Sequence, residues 1–316
     1  MWFLLACGAP SDPQPLPPLG AASSVHAPVA PAPEVAAAPG PSSHRTSNGR
    51  VVAVGDLHGD VAGVLSALTL AGIVDASGAW IGGKDTLVQT GDVTDRGPDS
   101  KGVLALLRRL QGEAAAAGGA VVPLLGNHEV MNIRGDWRYV SAADLEGYGG
   151  DEKRKAAFEK SGEEGSWLAT LDAVAVIDDT VFCHGGLREI WARLGTDAVN
   201  RQVREGMFAL ASKSLVIGDS GPMWDRTFAQ APEAEVCDEL GRSLEFVGAR
   251  RMVVGHTVQE DGKIHTRCDG RIVLIDTGIS AHYGSHGSAL QVVAGDAKAL
   301  YASGVVDVSD PIVEPK

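Results

Sequence analysis

Five short polar clusters hold the side chains of this sequence best suited to chemistry. They are Gly55-Asp56-Leu57-His58-Gly59-Asp60, Gly91-Asp92-Val93-Thr94-Asp95-Arg96-Gly97, Gly126-Asn127-His128-Glu129, His184-Gly185-Gly186 and Gly255-His256-Thr257. Asp56, His58, Asp92, Asn127, His184 and His256 offer the oxygen and imidazole donors that borderline divalent metals prefer. Six such donors suit a two-metal site better than a one-metal site. Glycine beside a donor lets the backbone approach a bound ion without a Cβ clash. One cluster alone is an ordinary strand-to-turn junction, but five in series, each after an apolar run, carry a joint signal that no single motif has.

The elements that must position these donors follow from the spacing of apolar residues. Val51-Val52-Ala53-Val54 leads into the first cluster, and Val61, Val64, Leu65 and Leu68 after it recur at helical spacing. Thr86 to Gln89 leads into the second cluster, with a helix through Val103, Leu104, Leu107 and Leu110, and Ala120 to Leu125 leads into the third. This βαβαβ series of continuously apolar strands predicts a parallel sheet covered on both faces. Ligand sites of such sheets gather beyond the carboxyl ends of the strands, where the clusters fall. Arg251 to Val254, Arg271 to Ile275 and Leu290 to Ala294 predict strands of a second sheet, and the stretch from Ala192 to Glu245 is mostly helical by spacing. The charged run Asp151-Glu152-Lys153-Arg154-Lys155 is expected to be a solvated helix face.

Taken in order, the five clusters resemble the motif set of the phosphoprotein phosphatases, within the calcineurin-like metallophosphoesterases. Met131-Asn132-Ile133-Arg134-Gly135-Asp136-Trp137-Arg138-Tyr139-Val140 and Gly221-Pro222-Met223-Trp224-Asp225-Arg226 are similar to the Shewanella-like protein phosphatase branch, and the resemblance covers roughly Gly49 to Val308. It implies an α/β sandwich of two mixed sheets flanked by helices; the insert over 131–178, which follows the third cluster directly, is expected to form a helical cap beside the site. It implies that Asp56 and His58 hold one divalent ion, that Asp92 bridges, and that Asn127, His184 and His256 hold the other; the ions would be manganese, iron or zinc. Two such cations would acidify a bridging water for in-line attack on phosphorus. Arg96 would clamp phosphate oxygens, with Arg226 as a second clamp and Tyr283 brought over the site by the loop Ile279 to Gly284. His128 would be the general acid, its ring held by Asp95. Trp137, Tyr139 and Trp167 could wall the site, and His282 and His286 read as surface residues.

The substrate implied is a phosphorylated protein or a small phosphomonoester. A nucleotide or dinucleoside polyphosphate hydrolase is the alternative on the same scaffold, although Asp95-Arg96-Gly97 and Glu129 spell the phosphatase. A catalytically dead lipoprotein scaffold is a third reading, opposed by the presence of every ligand position. The balance of 27 Lys+Arg against 40 Asp+Glu gives a net charge of −13, which argues against a nucleic-acid partner.

The front of the chain is of another kind. Ten of the 16 prolines lie between Pro10 and Pro41, so 7–48 is expected to be a disordered tether ahead of a domain at 49–308, with a short tail at 309–316. Leu4-Leu5-Ala6-Cys7 resembles a bacterial lipobox. Residues 1–6 would then be a signal remnant that needs a charged segment ahead of Met1, and an acylated Cys7 would hold the domain at a membrane in the cell envelope. Cytoplasmic residence is the alternative. Cys237 and Cys268 could be bridged in an oxidising compartment or remain reduced, and Cys183 is expected to be a small buried hydrophobe.

Overall fold

The computed structural model describes residues 43–209 and 214–308. The signal remnant, Cys7, the tether as far as residue 42 and the tail at 309–316 lie outside the described residues. Strands β1 (His44–Arg45) and β2 (Val51–Val54) open the fold, followed by α1 (Val61–Leu70), β3 (Thr86–Gln89), α2 (Ser100–Ala117), β4 (Ala120–Pro123) and α3 (Asn127–Ile133). Strand β1 corrects the expected domain boundary, because its parallel pairing with a later strand puts His44 opposite Val176. Ser43 is buried, with its hydroxyl 2.6 Å from Asp197, so the fold claims the chain six residues before Gly49.

Helices α4 (Ala142–Tyr148), α5 (Asp151–Phe158) and α6 (Glu163–Leu168) form the insert, and β5 (Val174–Ile177) and β6 (Thr180–Cys183) return to a sheet. The stretch expected as a cap over 131–178 thus ends in a core strand, and its helices pack on α2 and α3. Then come α7 (Glu189–Ala192), α8 (Thr196–Met207), α9 (Thr227–Gln230), α10 (Glu233–Val247), β7 (Arg251–Val254), β8 (His265–Arg267), β9 (Ile272–Leu274), β10 (Ser288–Val293), β11 (Asp296–Tyr301) and β12 (Gly304–Asp307).

Two mixed sheets result, in the strand orders β1-β5-β6-β7-β9-β8 and β12-β11-β10-β2-β3-β4. The sandwich of two mixed sheets expected from the resemblance is therefore present. Strand β10 was expected in the sheet of β7 and β9; it pairs antiparallel with β2 in the other sheet, Leu290 opposite Ala53. Its six-residue run also pairs with β11, so a continuing meander rather than a crossover decides its place. Along β2, Val51 and Ala53 face the core between the sheets while Val52 and Val54 face the helices. Burial on both faces is why the strand shows no polar alternation.

Cys237 of α10 and Cys268 of the β8–β9 turn form a disulfide, Cα to Cα 5.4 Å, across 31 residues of chain. Closing a loop of that length is worth ~3 to 4 kcal/mol on the chain-entropy model. Cys237→Ser should therefore lower the denaturant midpoint of the isolated protein clearly, and an unchanged midpoint would show that the bridge constrains little. Cys183 is buried in β6, as expected.

Candidate active site

Both sheets deliver their polar residues to one end of the sandwich. Asp56, Asp92 and Asn127 follow β2, β3 and β4, while His184, His256 and Asp276 follow β6, β7 and β9. The two sets interlock. His256 N donates to Asp56 Oδ1 (3.1 Å), and His184 Nδ1 donates to the Thr90 carbonyl (2.9 Å). A Cβ at Gly255 would stand 2.3 Å from Asp56 Oδ1, and one at Gly126 2.2 Å from Asp92 Oδ1. These glycines admit neighbouring carboxylates, where the sequence suggested they would admit a bound ion. His58, Asp92, Asp95, Arg96 and His256 all have positive φ, a concentration of strained backbone typical of functional sites.

The donors form two clusters that share a carboxylate: His58, Asp92 and His128 in one, Asp92, His184 and His256 in the other. Asp92 Oδ2 lies 3.2 Å from His184 Nε2 and 3.9 Å from His58 Nε2, and Asp56 Oδ2 is 3.8 Å from His58 Nε2. Asn127 Oδ1 sits 3.0 Å from His184 Nε2. Three of the imidazoles spend one nitrogen on a backbone carbonyl: His58 on Thr94, His184 on Thr90 and His256 on Trp224. That arrangement fixes the tautomer and leaves the other nitrogen free for a metal, as ligating histidines require. His128 differs, since its Nδ1 lies 2.7 Å from a carboxylate, Asp95 Oδ2.

The electrostatics call for cations. Burial and the neighbouring Asp276 and Asp92 push Asp56 well above the usual carboxyl range. Burial likewise carries Asp276 to about 6. Its Oδ2 is buried without a hydrogen-bond partner and faces the same cleft. Burial opposes the ionised form of Asp92 too, but His184 and His128 hold it well below the ordinary value. Burial lowers His58 to about 4, which keeps the ring neutral and its lone pair available. Burial lowers His256 as well, and two neutral rings, His58 and His256, beside adjoining buried carboxylates fit a divalent site and fit poorly as an empty core. Without cations, the raised Asp276 makes the fold lose stability as pH climbs from about 4 through about 6. Chelation at pH 7.5 is accordingly expected to lower the melting temperature, and by less at pH 5, where a proton takes the cation's place. Superimposable melting curves at pH 7.5 would remove this argument.

The cleft has a volume of about 310 Å³ and brings Arg96, Arg226 and Tyr283 to the same place as the donors. Arg96 stacks on Tyr139, its guanidinium carbon 3.8 Å from the ring centroid. Arg226 spends Nη1 on the His256 carbonyl (2.5 Å) and is otherwise exposed. The Tyr283 ring is 5.2 Å from that of His58, and His282 and His286 are exposed. Of the three expected wall aromatics only Tyr139 lines the cleft, and Trp224 takes the opposite wall. Trp167 instead bonds Gln111 (3.0 Å) and Trp137 donates to the Asn132 carbonyl (3.3 Å), both away from the opening.

A family model described as calcineurin-like phosphoesterase matches residues 49–260. The chain belongs to this family. An uncharacterized protein of Schizosaccharomyces pombe is 38% identical to it, over 79% of each chain. Shewanella-like protein phosphatase 2 of Arabidopsis thaliana is 33% identical, over 73% of this chain and 71% of that protein. A solved cold-active protein-tyrosine phosphatase of a psychrophilic Shewanella superposes with a TM-score of 0.74 at 28% identity, covering 84% of this chain and 82% of the other. These likenesses place this calcineurin-like phosphoesterase on the Shewanella-like branch and make it a metal-dependent phosphatase.

Several residues of the site escaped the sequence reading. Asp276 follows an apolar strand and precedes Gly278, the same signature that marked Asp56, so its signal was present. Glu129 stands out in the sequence only by the spelling of its motif, yet its buried carboxylate accepts from the backbone N–H groups of Asp92, Val93, Thr94 and Gly126 and so shapes the whole second cluster. Arg154, expected on a solvated face, is fully buried. Nothing in the run of charges around it signals that.

Proposed function

We propose that this chain is a binuclear-metal phosphomonoesterase of phosphoproteins, accepting phosphotyrosine as readily as phosphoserine or phosphothreonine. The observation that carries the reading is the meeting, in one cleft, of two donor clusters sharing Asp92 with Arg96 and the Asp95–His128 pair. Asp56 and His58 would hold one cation, Asn127, His184 and His256 the other, and Asp92 both; manganese, iron and zinc all suit this donor set. When bound, the cations supply Lewis acidity that activates water and polarises phosphoryl oxygens. Arg96 would bind two phosphoryl oxygens with its fork, braced by Tyr139, with Tyr283 beside His58 and Arg226 beside His256 completing the lining. His128 would carry a proton on Nε2 toward the departing oxygen. Burial opposes its charged form, yet Asp92 and the hydrogen-bonded Asp95 outweigh burial and raise it above the ordinary imidazole value.

The name of the Shewanella structure, a protein-tyrosine phosphatase, supports an aryl substrate, as do the aromatic walls Tyr139, Trp224 and Tyr283. The test is parallel turnover of a phosphotyrosine peptide, a phosphoserine peptide and diadenosine tetraphosphate by the full chain with manganese added. Comparable rates on both peptides, with the tetraphosphate far slower, are expected. Preference for the tetraphosphate would overturn the reading in favour of a nucleotide hydrolase, and no turnover of any substrate would favour the inactive scaffold. Attachment to the cell envelope through Cys7 is a separate proposal that rests on Leu4-Leu5-Ala6-Cys7; recovery of the full-length product wholly in the aqueous phase after detergent partition would sink it.

A further inference from the structure

We infer that Arg154, carried by helix α5 of the insert, is a positioning residue that aims Asp95 at His128, so that the insert serves as the foundation of the acid rather than as a lid. The inference rests on the proposed role of His128 and deepens it.

Asp95 and Arg154 are both wholly buried. Asp95 divides its two oxygens. Oδ2 meets His128 Nδ1 at 2.7 Å, while Oδ1 accepts from Asn132 Nδ2 (2.9 Å) and Arg154 Nη2 (3.3 Å). Anchoring Oδ1 stops rotation of the carboxylate, and rotation is the motion that would take Oδ2 away from the imidazole. Arg154 is itself fixed on three sides. Its Nε and Nη2 each lie 3.1 Å from Asp144 Oδ2, its Nη1 is 2.5 Å from Asn132 Oδ1, and its planar face lies 4.7 Å from the ring centroid of Phe158.

The ring of contacts closes on itself. Asp144 Oδ1 accepts from the Ser100 amide (2.6 Å), and Ser100 Oγ accepts from the Asp95 amide (3.0 Å). Asp95, whose φ of 72° is a conformation that non-glycine residues seldom adopt, is thus gripped through backbone and side chain by one buried network. Two of its members, Asp144 and Arg154, come from α4 and α5, and no residue of α4, α5 or α6 lines the cleft. A planar fork with five donors can bridge Asp95, Asp144 and Asn132 together; lysine cannot.

The experiment compares Arg154→Gln, Arg154→Lys, Asp95→Asn and His128→Asn in the full, metal-loaded chain. Each is assayed on p-nitrophenyl phosphate, whose leaving group needs no proton, and on an alkyl phosphate, whose leaving group does. Arg154→Gln is expected to lower kcat on the alkyl phosphate by about 10- to 100-fold, part of what a general acid supplies. Its loss on p-nitrophenyl phosphate should stay within about threefold, with KM and metal content unchanged. Arg154→Lys, which keeps the buried charge and so the fold, should show the same bias in weaker form. Arg154→Gln combined with Asp95→Asn should lose little beyond Asp95→Asn alone, because residues acting as a unit are not additive.

Equal losses on both substrates would make Arg154 a purely structural residue and overturn the inference, as would an unbiased and fully active Arg154→Lys if Arg154→Gln does not fold. If His128→Asn itself shows no bias, the underlying reading of the acid fails instead, and the two failures are told apart.

Discussion

Asp92→Asn is expected to leave the protein folded, with its metal content collapsed and its turnover gone. The side chain stands where the two donor clusters meet, with Oδ2 3.2 Å from His184 Nε2 and 3.7 Å from His128 Nε2. Both proposed cations depend on it, whereas each of the other donors serves one. Cations in such a site supply several kcal/mol of transition-state charge stabilisation, and about 4 kcal/mol is already a thousandfold in rate. Asparagine is the right probe because it tolerates the left-handed φ of 55° at this position. It also keeps an oxygen for the His128 amide, which donates to Asp92 Oδ1 at 2.9 Å. The substitution relieves the repulsion that raises Asp56 and Glu129 but gives up the attraction by which His184 and His128 hold Asp92 ionised, so the chelated variant should melt below the chelated parent while remaining folded. Elemental analysis, steady-state assay and melting curves check the three parts. A variant with near-normal metal stoichiometry and rate would show that Asp92 bridges nothing.

The site was legible in the sequence to the extent that local pattern carried it. The expected metal donors stand at the carboxyl ends of apolar strands, and the topology of a doubly covered sheet is enough to bring such ends together. Strand ends with glycine repeat the same local signature, which is why Asp276 could have been found by it and Asp56 was. What stayed hidden has no local signature. The burial of Arg154 is decided by Asp95 and Asp144, respectively 59 and 10 residues away in sequence, and five consecutive charges look like a solvated surface until the partners are in place. The failure at β10 is of the same kind, since a run of apolar residues names a strand without naming its neighbour. Strand β1 is only two residues long, too short for any periodicity, and belongs to the fold through its pairing with β5 and the buried hydroxyl of Ser43.

His128→Asn is expected to cripple turnover of alkyl phosphates far more than turnover of p-nitrophenyl phosphate. Cations held as proposed would, with Arg96, meet the charge that develops on the phosphoryl oxygens and would supply the Lewis acidity that activates water. The departing oxygen is then the one reacting atom without a partner. His128 is set apart for that task by its own contacts. Its Nδ1 is held by the buried Asp95 where His58, His184 and His256 are held by neutral carbonyls, and Asp92 and Asp95 raise its proton affinity against the effect of burial. The three carbonyl-bound rings are suited to giving a lone pair, and the carboxylate-bound ring, with its raised proton affinity, to donating a proton. An alkoxide is a poor leaving group and needs that proton, whereas an activated aryl oxide leaves unaided. Removal of a general acid typically costs 10²- to 10⁴-fold, about 3 to 5 kcal/mol, and the full loss should appear only for the alkyl substrate. Equal losses on the two substrates would mean that His128 holds phosphate or metal, as its place in the cluster with His58 and Asp92 would also permit, and the role of acid would then have to pass to another group in the cleft.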